Sequence, residues 1–205
     1  YWDDFYKQDF VHVPSQFCAF VATDIKPHSV VVELGCGNGR DSHFFASANF
    51  SVIGVDLSYG AIEACRAQSK PNKDLLFVCG DISDGDTCKE MTELLAHKKI
   101  DKDVSFYSRF VMHSLDEEQE KLFMLSLKHL MVTGDHIYFE FRSKEDQLTK
   151  KIYENHYRRY IDTSDFIQKL IEIVDVEVLY SITGRGMAMY KGEDPSVSRI
   201  VARKQ

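Results

Sequence analysis

Three glycines stand at every second position, 35, 37 and 39, in the stretch ELGCGNGRDS (33–42). Glycine lets a backbone turn through positive φ and lets a ligand approach without meeting a Cβ. A dinucleotide-binding turn of the G-x-G-x-x-G type would put its third glycine at position 40, where this chain has Arg40. An acid, Glu33, stands two residues ahead of the first glycine. Two more aspartates follow apolar runs, in GVDLS (54–58) and GDI (80–82). Asp56 comes 21 residues after Gly35, and a carboxylate there can accept both hydroxyls of a ribose. Asp81 and the backbone of Ile82 can meet the edge of an adenine. Taken singly each feature is weak; Asp56 alone could simply cap a helix.

A second set of chemically capable residues lies further on. His113 follows the apolar run VSFY (104–107) within YSRFVMHS, and a histidine exchanges its proton near neutrality. Glu140 and Arg142 alternate with Phe139 and Phe141, so a strand would point both to one face. KKIYENHYRR (150–159) carries Lys150, Lys151, Arg158 and Arg159 against Glu154 alone, with His156 and Tyr157 among them. With Arg109 and Arg142 converging from a sheet, such a cluster suits an anionic small molecule, because guanidinium matches phosphate and carboxylate bidentately. The plainer readings are a hydrogen-bonded scaffold histidine and a solvated charged helix face. YKGEDP (190–195) links the last apolar runs and could close over the site.

These residues need elements to hold them. VVVEL (30–34), VIGVD (52–56), LLFVC (75–79), VSFY (104–107) and HIYFEF (136–141) are short and rich in β-branched or aromatic residues, which predicts strands mostly buried on both faces. Helical patterns fall between them at 40–48, at 59–68 behind the N-cap Ser58, at 87–97, and at 117–131 behind Asp116, with Gln119 three residues on. Strand–helix alternation predicts a parallel sheet covered on both sides. After a helix near 163–172, VDVEVLYSIT (174–183) and SVSRIVAR (196–203) predict an antiparallel pair closing one edge of the sheet. The first 25 residues predict a helical cover over the sheet's carboxyl edge, with Phe17, Phe20 and Val21 as its buried stripe.

Length and composition bound the rest. At 205 residues, 44% hydrophobic and 28% charged, the chain fits one soluble domain with its own core. A net charge of -7 argues against nucleic acid, which needs a basic face. No apolar run is long enough to span a membrane, and no secretory signal is present. The five cysteines, at 18, 36, 65, 79 and 88, form no C-x-x-C and no zinc spacing. They read as thiols of a reducing, cytoplasmic compartment, with no metal expected. The chain starts at Tyr1 rather than Met, as a processed chain or a domain cut from a longer polypeptide would.

The loop VVELGCGNGRDS with the two aspartate motifs, in this order, resembles class I S-adenosylmethionine (SAM)-dependent methyltransferases. The resemblance implies a Rossmann-like, seven-stranded, mostly parallel sheet with one antiparallel edge strand and helices on both faces. It implies SAM as cofactor, with Glu33 helping to hold the methionine amino group. That fits the charges: an acid suits an ammonium and a sulfonium and would repel a diphosphate. It also implies cofactor contacts from Gly35, Cys36, Gly37, Asn38, Asp56, Leu57, Ser58, Asp81, Ile82, Ser108 and Arg109. By the same likeness Arg40 pairs with the methionine carboxylate, the alternative being a salt bridge with Asp41. Trp2 and Tyr6, one helical turn apart, fold over the pocket, the alternative being plain core packing.

Further stretches, YWDDFYK, YSRFVMHSLDEEQE (107–120), HYRRY (156–160) and the ending GEDPSVSRIVARK, resemble a bacterial subfamily associated with surface-glycan and capsule biosynthesis, whose members are sometimes fused to other glycan enzymes. The acceptor this implies is a small or carbohydrate-type molecule bound near Arg109, Arg142, His156, Tyr157, Arg158 and Arg159. His113, with Glu140 as its rival, is the candidate general base for a hydroxyl acceptor; an already anionic oxygen needs little beyond positioning. The segment 142–160 becomes a lid or acceptor segment, although RSKEDQLTKKIYEN is shorter than the subfamily pattern. The tetrad of nucleic-acid amino-methylating relatives is replaced by SRFV (108–111). A nicotinamide-dependent oxidoreductase and a non-catalytic SAM-binding module that positions a partner enzyme are the rival functions.

Overall fold

The computed structural model describes residues 13–69, 74–98, 102–149 and 157–205. Two compact units divide the chain, residues 1–107 and 108–205. Seven strands form a mixed sheet in the order β3-β2-β1-β4-β5-β7-β6, with helices in the connections.

In the first unit, α1 (Gln16–Asp24) starts at Ser15, whose hydroxyl accepts the Cys18 N–H at 2.9 Å. Phe17 and Val21 are buried as expected, joined by Cys18, while Phe20 is half-buried. The strands β1 (Val30–Leu34) and β2 (Ser51–Asp56) pair in parallel, with Val32 opposite Ile53 and Glu33 opposite Gly54. Between them lies α2 (Arg40–Ser47). The helix α3 (Tyr59–Gln68) begins at Ser58, which accepts the Ala61 N–H as the predicted N-cap. Parallel pairing continues to β3 (Leu75–Cys79) on one side and to β4 (Val104–Arg109) on the other. The helix α4 (Gly85–Lys98) connects the last two strands and buries Cys88, Met91 and Leu95. Every residue of β1 and five of the six in β2 are buried on both faces, whereas β3, expected to be buried too, exposes Leu76 and Cys79. Burial on both faces is why β1 and β2 read as continuous apolar runs.

In the second unit, α5 (Glu117–Leu130) starts with the capping box between Asp116 and Gln119. Phe123, Met124, Leu127 and Leu130 form its buried face. The strand β5 (His136–Arg142) is followed by a short 3-10 segment, Lys144–Leu148, and by α6 (Thr163–Val174), capped at Asp162. A left-handed residue, Asp175, ends α6 and turns the chain into β6 (Val176–Gly184). β7 (Val197–Lys204) then inserts between β5 and β6, antiparallel to both. The expected C-terminal pair therefore closes the sheet with β6 at the margin.

Among the described residues, no helix is long and apolar enough to cross a membrane, and no cluster of three or more potential metal ligands occurs. All five cysteines are free thiols, four of them buried and Cys79 exposed. Trp2, Tyr6, Lys150, Lys151 and His156 lie outside the described residues.

Candidate cofactor and acceptor sites

The glycine loop hangs on the end of β2. The N–H groups of Gly35 and Cys36 both donate to the Val55 carbonyl, at 2.8 and 2.9 Å. Gly35, Gly37 and Gly39 all take positive φ, at 81°, 53° and 71°, which is what a non-glycine residue would resist. At Gly39 the need is also spatial: a Cβ there would come within 2.7 Å of Cys65 Sγ.

Asp56 fastens this loop. Its Oδ2 accepts the Gly37 N–H at 2.7 Å and its Oδ1 the Ser58 N–H at 2.9 Å. The carboxylate thus holds the loop and the start of α3 together at the carboxyl end of β2, where open α/β sheets bind ligands. Asp81 accepts from the Ser83 N–H and hydroxyl, at 2.9 and 2.6 Å, and Ile82 beside it is buried. Asn38 Oδ1 lies 3.4 Å from the Arg40 N–H, while Leu57 points largely into solvent.

Glu33 is buried, and Ser42 donates its hydroxyl to Oε2 at 2.5 Å. Gly54, its register partner on β2, makes room for this contact, since a Cβ there would fall 2.9 Å from Ser42 Oγ. Burial pushes the Glu33 carboxyl well above its usual range, and the negative charge of Asp41 pushes further in the same direction. The Ser42 hydrogen bond and the Arg40 charge oppose them. Burial also raises the Cys36 thiol, helped by a hydrogen bond with Cys65.

Arg40 is paired with Asp41, through Nε at 3.1 Å, the alternative partner read from the sequence. Asp41 is itself a buried hub. It accepts the Ser15 N–H at 2.9 Å, the Ser15 hydroxyl at 2.7 Å and the Tyr107 hydroxyl at 2.8 Å. It therefore ties the start of α1 and the end of β4 to the first turn of α2. Phe17 stacks on Tyr107 beside this hub, with ring centroids 5.1 Å apart.

In the second unit the cations found in the sequence meet acids, most of them distant along the chain. Arg109 donates from Nε to Glu140 Oε1 at 2.8 Å, and Arg199 to Oε2 at 2.7 Å. Arg142 pairs with Asp146 at 2.8 Å and with Glu193 at 2.5 Å. Arg159 pairs with Glu120, which also takes Lys169 at 2.9 Å. Tyr157 is exposed and Arg158 half-buried. The Ser108 hydroxyl is buried with no hydrogen-bond partner among the described residues.

His113 lies in a one-turn 3-10 segment, Met112–Ser114. Its Nδ1 accepts the Arg142 N–H at 3.4 Å and its carbonyl accepts the Arg159 N–H at 2.7 Å. Phe110, between β4 and this turn, takes φ of 60° and packs against the Arg109 guanidinium at 4.2 Å and the His113 ring at 5.3 Å. The sequence reading gave no role to Ser15, Ser42, Tyr107, Glu120, Asp146, Glu193 or Arg199. Only Ser42 carried a local signal, lying with Arg40 and Asp41 on the helical turn after the glycines.

Residues 31–130 match the family model described as a methyltransferase domain. No curated protein matches the chain. Among solved structures, a SAM-dependent methyltransferase from Anabaena variabilis ATCC 29413 shares 18% identity, with 100% of this chain and 92% of that one aligned at a TM-score of 0.73. A SAM-dependent methyltransferase from Methanosarcina mazei shares 14%, over 90% of this chain and 96% of that one, at 0.71. The [4+2]-cyclase SpnF shares 10%, over 92% and 80%, at 0.66. At such identities the likeness is one of fold, and the cyclase illustrates that a fold does not dictate a reaction. Residues 31–130 thus resemble a methyltransferase domain, and the fold is the one that these SAM-dependent methyltransferases share.

Proposed function

We propose that the chain transfers a methyl group from SAM to an oxygen of a small or carbohydrate-type, anionic acceptor, a sugar or a phosphate of the kind used in surface-glycan synthesis. The observation that carries the cofactor half is the buried Glu33 beside three positive-φ glycines. A buried acid with a raised pKa fits a ligand that brings an ammonium, and the glycines give it close backbone approach. In this reading Glu33 holds the amino group and Asp56 the ribose, while Asp81 and Ile82 meet the adenine. Gly35, Cys36, Gly37, Asn38, Leu57, Ser58, Ser108 and Arg109 line the remainder, and Trp2 and Tyr6 cover it. Arg40 meets the carboxylate while its Nε stays on Asp41.

The cofactor, when bound, supplies a methyl group made electrophilic by its sulfonium. On the acceptor side the reading rests on Arg109, Arg142, His156, Tyr157, Arg158 and Arg159. The described ion pairs there hold Arg109, Arg142, Arg159, Arg199 and Lys169 on Glu140, Asp146, Glu193 and Glu120. Both candidate bases already have proton-accepting atoms engaged. Glu140 has a guanidinium on each oxygen. His113 accepts on Nδ1, so its neutral ring carries the proton on Nε2 and donates there. Both features favour an acceptor oxygen that is already anionic and needs only to be held in line.

The test is calorimetry with SAM and with NAD, followed by labelled SAM with a panel of sugar phosphates, nucleotide sugars and phosphorylated glycans. SAM binding without an NAD signal, and label transferred to an oxygen of one panel member, is the expected outcome. NAD binding alone would replace this reading with the oxidoreductase. SAM binding without transfer to any member, and no loss of function in His113→Ala, would favour a non-catalytic module.

A further inference from the structure

Among the described residues, the acids and cations around the glycine loop do not balance. Two buried carboxylates, Glu33 and Asp41, share the neighbourhood of one guanidinium, Arg40. That guanidinium is held by Asp41, through Nε at 3.1 Å and Nη2 at 3.5 Å. Asp41 accepts hydrogen bonds from Ser15, Tyr107 and Arg40. Glu33 has the Ser42 hydroxyl on Oε2. Its register neighbours on β1's two sides are Gly54, without a side chain, and Tyr107, whose hydroxyl is turned to Asp41. Among the described residues, the other titratable groups that act on it are the thiols of Cys65 on α3 and Cys36 in the loop, and neither brings positive charge. Counted over the described residues, the cluster is therefore one positive charge short when both acids are ionised.

We propose that binding of the cofactor's ammonium group drives a proton from the Glu33 carboxyl into solvent, and that Asp41 is the positioning residue that sets this coupling. The inference rests on the reading of Glu33 as the acid that meets the amino group. Without a ligand, the buried cluster balances by keeping a proton on Glu33. An arriving ammonium supplies the missing charge, Glu33 ionises, and the ammonium keeps its own proton. Asp41 sets the coupling in two ways. Its charge disfavours an ionised Glu33, and it shares with that acid the one guanidinium found near them among the described residues. Cofactor affinity then rises with pH, by about tenfold per unit where one proton is released, and levels off once Glu33 is ionised in the free protein.

The experiment is titration calorimetry of the whole chain with SAM, at slightly acid pH, in two buffers of different ionisation enthalpy. The expected result is a binding heat that differs between buffers by close to one proton per SAM. The analogue 5′-methylthioadenosine, which lacks the amino-acid arm, should bind with equal heats in both. Glu33→Gln should bind SAM with no proton exchange. Asp41→Asn should move the rising limb of affinity to lower pH, whereas a merely structural Asp41 would lower affinity at every pH without moving the limb. Equal heats for SAM in both buffers, or the same release with 5′-methylthioadenosine, would overturn the inference and leave the methyltransferase reading standing. Failure of SAM to bind in any buffer would overturn both.

Discussion

Arg199 lies directly opposite Glu140 on the antiparallel β5–β7 ladder and donates from Nε to Glu140 Oε2 at 2.7 Å. Arg109 takes the other oxygen. The Glu140 side chain is fully buried, and Arg199 also donates to the Met187 carbonyl. Removing one member of such a group leaves buried charge without its partner. Glu140→Ala should therefore lower stability by about 3–5 kcal/mol, read by urea unfolding. A variant that unfolds like the wild type but has lost turnover would instead make Glu140 the base.

His113 offers a sharper separation of roles. If it holds the acceptor by donating from Nε2, asparagine can replace it, since an amide both accepts from the Arg142 N–H and donates outward. His113→Asn should keep turnover within about tenfold of wild type, with His113→Ala lower. A general base would lose on the order of 10²–10⁴-fold in both variants. Turnover measured with whichever panel acceptor proves active distinguishes the two.

Glu33 should cost the ligand-free protein stability. Its folded pKa is raised above the unfolded value by burial and by Asp41. Its favourable contribution is then fully present below the unfolded pKa and is lost as pH rises through the folded one. Between those values the loss is about 1.4 kcal/mol per pH unit. Without ligand, Glu33→Gln should melt above the wild type at neutral pH, with the gap closing on acidification. A gap that is the same at every pH contradicts the assignment.

Gly39 combines backbone and steric demands. Gly39→Ala should lose about 1–2 kcal/mol from the left-handed conformation alone, beyond its approach to Cys65 Sγ. Adding Cys65→Ala relieves the contact and leaves the backbone cost. Thermal melts of the single and double variants should show partial recovery; full recovery would mean that the backbone is not strained there.

Much of the fold was legible in the sequence for local reasons. The strands at 30–34 and 75–79 and the helix at 59–68 fall where runs of β-branched residues and an N-cap serine put them. Asp116 and Gln119 announce their own helix because a capping box needs only four consecutive residues. The insertion of β7 between β5 and β6 was not legible, because pairing partners are chosen by the sheet and not by either strand alone.

The charged residues divide along the same line. Counted locally, KKIYENHYRR is a basic cluster, yet Arg159 meets Glu120, thirty-nine residues away, and Arg142 meets Glu193 from the connection to β7. By itself the sequence determined the strand–helix alternation, the positive-φ glycine loop and the acids at its strand ends, since these depend on residues close in the chain. Only the tertiary structure decided which acid each arginine holds and that Asp41 gathers Ser15, Tyr107 and Arg40. Burial makes such pairings obligatory, because a charge removed from water must find a partner, and the fold alone brings that partner within reach.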